Sequence, residues 1–112
     1  MNQFNTIIFD WDGTLMDSAG RIVSAMKTSA ANVGLPVPED EAIRHIIGLS
    51  MDEVFNQLFP GANELSRSDL FEEYRFQYID GDKTPMPLFQ GVDSLLQNLR
   101  EHGFNLAVAT GK

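Results

Sequence analysis

Thr6-Ile7-Ile8-Phe9-Asp10-Trp11-Asp12-Gly13-Thr14-Leu15 decides the fold. Thr6 to Phe9 is a continuous apolar run with β-branched residues, which suits a strand covered on both faces, as in parallel sheets. Asp10 and Asp12 follow, and Gly13 permits a tight turn. A strand that ends in paired acids at a glycine turn presents negative oxygens at a sheet edge, where open α/β sheets bind ligands. In extended chain, positions i and i+2 face one side, so Asp10 and Asp12 share a space. Two close carboxylates repel; either one keeps its proton or a cation sits between them. Mg2+ fits, because it takes one or two carboxylates, several waters and a phosphate oxygen.

Downstream, Asp17 or Ser18 can cap a helix that runs to about Val33, with Ile22, Val23, Met26, Ala30 and Val33 on one face. Gly34 stops it, and Leu35-Pro36-Val37-Pro38 is an extended connection. The spacing predicts a second helix from Pro38 to Gly48, with Glu39, Asp40 and Glu41 at its positive end. Ser50 and Glu53 match a capping box for a third helix that meets Pro60-Gly61. A fourth is expected from near Ser66 to Asp80-Gly81, on Leu70, Phe71, Tyr74 and Tyr78. Gly81 to Pro87 reads as a linker. Val92, Leu95, Leu96 and Leu99 mark a last helix, ended by Gly103, and Leu106 to Ala109 a second buried strand before Thr110-Gly111-Lys112.

The layout is a β-α-β unit with a large helical insertion after its first strand. Such parallel connections cross over right-handed. Asp10 and Thr110 are then expected at the same carboxyl edge. A carboxylate there can attack phosphorus, and a second acid can protonate the leaving oxygen and later activate water. Thr110 and the Gly111 amide are candidates for binding phosphate oxygens.

Composition narrows the classes. Sixteen acidic against eight basic residues give a net charge of −8, with no basic cluster, which disfavours nucleic acid and anionic membrane as partners. The absence of cysteine excludes disulfides, thiolate metal sites and a cysteine nucleophile, and fits a cytoplasmic setting. No run of about 20 apolar residues is present, and Met1 to Asn5 has no basic, cleavable leader pattern.

These residues resemble the haloacid dehalogenase (HAD) superfamily. An apolar strand followed by Asp10-Trp11-Asp12-Gly13-Thr14-Leu15 is similar to the family's first motif. Leu106-Ala107-Val108-Ala109-Thr110 is similar to its second, and the helical insertion lies where the family carries a cap. Four fixed letters in D-x-D-G-T arise by chance about once in 10⁵ positions at ordinary residue frequencies. The likeness is nearest to phosphoglycolate-phosphatase-like enzymes.

The resemblance implies an α/β fold: an incomplete Rossmann-like parallel-sheet core, residues 1–16 and 88–112, with an inserted four-helix cap over residues 17–87. It implies a Mg2+-dependent phosphomonoester hydrolase for a small phosphorylated metabolite. Asp10 is the implied nucleophile, and Asp12 the general acid/base. Both Asp10 and Asp12 contribute to the metal site. Thr110 orients phosphate, with Gly111 and the Trp11 amide beside it. The family's third-motif lysine and fourth-motif acids are expected beyond residue 112. The chain therefore reads as an N-terminal fragment, inactive alone and open to self-association through its sheet edge.

A phosphomutase shares both acids. A dehalogenase lacks the second, so Asp12 argues against it. A non-catalytic helical interaction module is the alternative from another class. Lesser candidates have plainer readings. Arg21 is a solvated charge or a substrate-carboxylate partner. Gly48-Leu49-Ser50 is a helix stop and cap, or a loop that reaches the substrate. His45 and His102 are surface helix residues, and the Phe55-to-Tyr78 aromatics form insert core.

Overall fold

β1, Thr6–Asp10, pairs in parallel with β2, Asn105–Ala109, in a register that sets Ile8 against Ala107 and Asp10 against Ala109. The computed structural model describes residues 5–109. The elements between the strands are α1 (Ala19–Asn32), α2 (Asp40–His45), α3 (Met51–Leu58), α4 (Glu64–Phe76), a π-helical turn (Gln77–Gly81) and α5 (Val92–Glu101). The chain is α/β with a short parallel sheet, and α5 packs on β2 as the crossover helix.

The helices form their own core. Met26 from α1, Ile43 from α2 and Leu70 from α4 are fully buried, with Val54, Phe55 and Phe59 packed beside them. Each such side chain contributes about 1.5–3 kcal/mol by leaving water. The strands are barer: Ile8 is 66% and Val108 49% exposed. The radius of gyration is 17.0 Å, against about 13 Å for a compact chain of this length. The molecule is thus a helical lobe joined to a small sheet-bearing lobe.

Two crossings link the lobes, and they lie side by side. The Asp17 amide donates to the Pro87 carbonyl at 2.8 Å, and the Phe89 amide to the Leu15 carbonyl at 3.1 Å. Met16 bridges to Leu88 between them. No helix among the described residues is long and apolar enough to cross a membrane.

Details of three helices differ from the sequence expectation. α2 ends at His45, not at Gly48. Beyond it the chain tightens: the Ile46 amide bonds the Ile43 carbonyl and the Leu49 amide the Ile46 carbonyl, both three residues back. This tighter winding turns Ile46 into the core. α4 starts at Glu64, because Asn63 is an extended N-cap whose side chain accepts the Ser66 amide at 2.8 Å. Ser18 occupies the N-cap position of α1 without capping it; its hydroxyl is engaged elsewhere.

Candidate active site

The strand pairing carries Asp10 to the carboxyl end of the sheet. Its Oδ1 accepts the Trp11 amide at 2.8 Å. The chain then closes on itself. The Trp11 carbonyl accepts the amides of Leu15 and Met16 at 3.1 and 3.0 Å, and the Gly13 amide donates to the Met16 carbonyl at 3.0 Å. Gly13 makes this loop possible by adopting φ of +78°, a region that costs other residues about 1–2 kcal/mol. The loop holds Asp12 beside the start of α1, where Ser18 donates from Oγ to Asp12 Oδ1 at 2.6 Å. Ser18 is buried at 1% exposure, so the pair is shielded from competing water. A short bond from a hydroxyl to a carboxylate is of the stronger, charge-assisted kind. The hydroxyl can also accept, so it can serve Asp12 in either protonation state.

Asp10 and Asp12 line one cavity of about 460 Å³ between the lobes. Its walls come from α1 (Ile22, Met26), from the turn after α2 (Gly48, Leu49), and from α4 with the π-helical turn (Tyr74, Tyr78). The π turn closes through the Asp82 amide, which donates to the Gln77 carbonyl at 2.7 Å. This wider winding sets Tyr78 and Ile79 on the wall. Burial pushes the Tyr74 phenol well above its ordinary pKa, and charge on Tyr78 and Asp12 adds to the effect. The phenol therefore stays a neutral donor at physiological pH.

The remaining candidates separate. Trp11 is half-buried and does not line the cavity; its amide serves Asp10. Thr110 and Gly111 lie outside the described residues. Ala109, the last residue of β2, pairs with Asp10. Gly48 and Leu49 face the cavity while Ser50 accepts the Glu53 amide and caps α3 as expected. The aromatic run also divides: Phe55 and Phe59 are core, and Phe71, Tyr74 and Tyr78 face the cavity. Arg21 meets neither solvent alone nor the cavity. Its Nε donates to the Thr84 carbonyl at 2.7 Å and its Nη1 to the Tyr78 carbonyl at 3.5 Å, which ties α1 to the π-helical turn and the extended segment after it. Both histidines are exposed, with His102 Nδ1 2.8 Å from the Asn98 carbonyl.

Sequence reasoning missed two participants. Ser18 looked like a cap because its position is a cap position. Arg75 lines the cavity without an ion pair among the described residues, and no local pattern distinguishes it from a solvated arginine.

Known proteins resemble this chain. The tyrosine-protein kinase PtkA of Mycobacterium tuberculosis is 41% identical over 106 residues, covering 95% of this chain and 35% of that protein. A phosphoglycolate phosphatase of Agrobacterium fabrum is 34% identical over 113 residues, covering 94% and 47%. A haloacid dehalogenase-like family hydrolase of Streptococcus pneumoniae superposes with a TM-score of 0.84 at 28% identity, covering 100% of this chain and 51% of that one. The chain thus spans a third to a half of the curated relatives' length. The sequence profile of one family runs from residue 7 to residue 112, from the apolar strand before the paired acids through both crossings and the lobe between them. The chain belongs to the haloacid dehalogenase-like hydrolases.

Proposed function

We propose that Asp10 and Asp12 are the nucleophile and the acid–base residue of a Mg2+-dependent hydrolase of small phosphomonoesters. The observation that carries this reading is the convergence of both carboxylates on one cavity at the carboxyl end of the strand pair. Family membership supports it, as do relatives named phosphoglycolate phosphatase.

The donor chemistry fits the metal. Asp10 and Asp12 form an all-oxygen pair, which suits a hard cation that keeps several waters, and no group of three or more candidate ligands occurs among the described residues. Held by the Asp10 carboxylate and the Asp12 backbone carbonyl, Mg2+ would neutralise phosphate charge at the site and leave the Asp12 side chain to move protons.

The chain's own residues do the rest. A carboxylate oxygen of Asp10 attacks phosphorus, the bond to the leaving oxygen breaks, and Asp12 gives that oxygen a proton. Asp12 then takes a proton from water as the water attacks the aspartyl-phosphate. The bond to Asp10 breaks and inorganic phosphate leaves. Ser18 keeps the Asp12 carboxylate oriented through both proton transfers. Thr110 and the Gly111 amide are assigned to the phosphate oxygens, while the Trp11 amide, which donates to Asp10 Oδ1, orients the nucleophile. Residues 17–87 act as the cap, and a cysteine-free chain suits the cytoplasm.

In the full-length protein, Asp10→Asn abolishes phosphate release, and the wild type requires Mg2+. Turnover retained in that variant overturns the reading. The relative named a tyrosine-protein kinase favours a second reading, in which a hydroxyl acceptor replaces water. Product analysis separates the two: free phosphate marks hydrolysis, and phosphate on a second hydroxyl marks transfer, or mutase chemistry when donor and acceptor are one molecule.

A further inference from the structure

We propose that the cavity selects aryl phosphate monoesters, whose leaving group is a neutral aromatic ring; this rests on the phosphotransfer reading of Asp10 and Asp12 above. The volume of about 460 Å³ holds a one- or two-ring leaving group together with its phosphate. Beyond the two acids and Arg75 the wall is apolar and aromatic: Met26, Leu49, Met51, Phe71, Tyr74 and Tyr78 all face it. The rings of Tyr74 and Tyr78 stand 5.9 Å apart and tilted by 34°, so they offer a fixed edge and face to a third ring. The two methionines adapt to ring shape and favour aromatic contacts.

Polar leaving groups fare worse here. A sugar or hydroxy-acid brings several hydroxyls or a carboxylate that must shed water and find partners. The polar side-chain groups on the wall, among the described residues, are the two acids, the two phenols and Arg75. A remote carboxylate on the substrate would find a single cation on the wall among the described residues, Arg75, and would also meet the charge of Asp10 and Asp12. An uncharged ring needs no such partners and gains from leaving water. In the reaction, the bond from phosphorus to the phenolic oxygen breaks as the Asp10–phosphorus bond forms, and the phenolate takes the Asp12 proton.

The test uses binding, which leaving-group reactivity does not distort. In the full-length protein with Mg2+, calorimetry compares 2-naphthylmethylphosphonate, methylphosphonate and 3-phosphonopropionate, none of them hydrolysable. The aryl compound is expected to bind about tenfold or more tighter than the other two. Leu49→Asn and Phe71→Ser, each on the wall and neither fully buried, should erase that advantage and leave methylphosphonate affinity unchanged. Equal affinities, tighter binding of the carboxylate compound, or an advantage that survives both variants overturns the proposal. Phosphate release from any monoester is assayed alongside. Its absence defeats the hydrolytic reading alone, and the phosphonate ranking still decides this one.

Discussion

Ser18, which stands at the N-cap of α1, donates its hydroxyl to Asp12 across six residues at 2.6 Å, and its oxygen accepts no amide of its own helix. A cap bond contributes about 1 kcal/mol to a helix. The structure forgoes it, and the hydroxyl fixes a carboxylate that projects from a loop. Ser18→Ala in the full-length protein should therefore lower turnover of alkyl phosphates about tenfold or more, the scale of a hydrogen bond to a charged group. KM should stay near the wild-type value. The loss should shrink for p-nitrophenyl phosphate, whose leaving group needs little help from an acid, and Ser18→Thr should restore part of it. Equal losses on both substrates would contradict the assignment.

Ser29 is fully buried on α1, and its hydroxyl has no hydrogen-bond partner among the described residues. A desolvated, unpaired hydroxyl is costly, and alanine is the better helix former. Ser29→Ala should stabilise the helical lobe by about 1 kcal/mol, or about 4 °C in melting temperature, read by calorimetry. A lower melting temperature would mean that the hydroxyl holds a partner in solution.

Asp82 gives the helical lobe an acid limit. Burial raises its pKa, but hydrogen bonds from the side chains of Ser24 and Thr84, the Thr84 amide at 2.9 Å and the charge of Arg21 bring it below the ordinary carboxylate range. A depressed folded value means that the unfolded chain binds the proton more tightly. The stabilisation is then fully present above about pH 3.9 and is lost as pH falls through the folded value. Urea midpoints from pH 5 down to 2.5 should drop along this curve, and Asp82→Asn should flatten that part of it.

The 112-residue chain on its own should self-associate with a second copy through its strands. Ile8 and Val108 leave apolar surface open on a sheet of two strands, and unpaired strand edges template pairing. Sedimentation at rising concentration should show growing mass, and Ile8→Lys should suppress it. A rigid monomer at all concentrations would refute this.

Much of the molecule was legible because its signals are local. The apolar run before Asp10, the glycine stops and the every-fourth-residue spacing of Ile22, Met26 and Ala30 each report on their own few residues, and β1, α1 and α5 follow from them. The convergence of Asp10 and Asp12 was legible too, since period-two geometry and a single turn suffice. What escaped depends on distant contacts. Arg21 meets carbonyls 57 and 63 residues away, and nothing beside it in sequence points there. The π turn needs an extra residue per winding, which an amphipathic pattern read at 3.6 residues does not reveal. Tyr74 and Tyr78 pack against the helical core as expected, but that their outer edges and Phe71 also wall the cavity with Asp10 and Asp12 depends on contacts between lobes.

The doubled seam at Leu15–Asp17 and Pro87–Phe89 has an evolutionary consequence. Because the lobe leaves and rejoins the sheet at one spot, a foreign lobe need only reproduce those few backbone bonds to be grafted in. Asp10 and the loop would keep their backbone bonds, and Asp12 its orientation wherever the graft supplies a hydroxyl in the place of Ser18. A lineage can therefore trade one selectivity for another wholesale, as a tool changes its head, without rebuilding the chemistry at the handle.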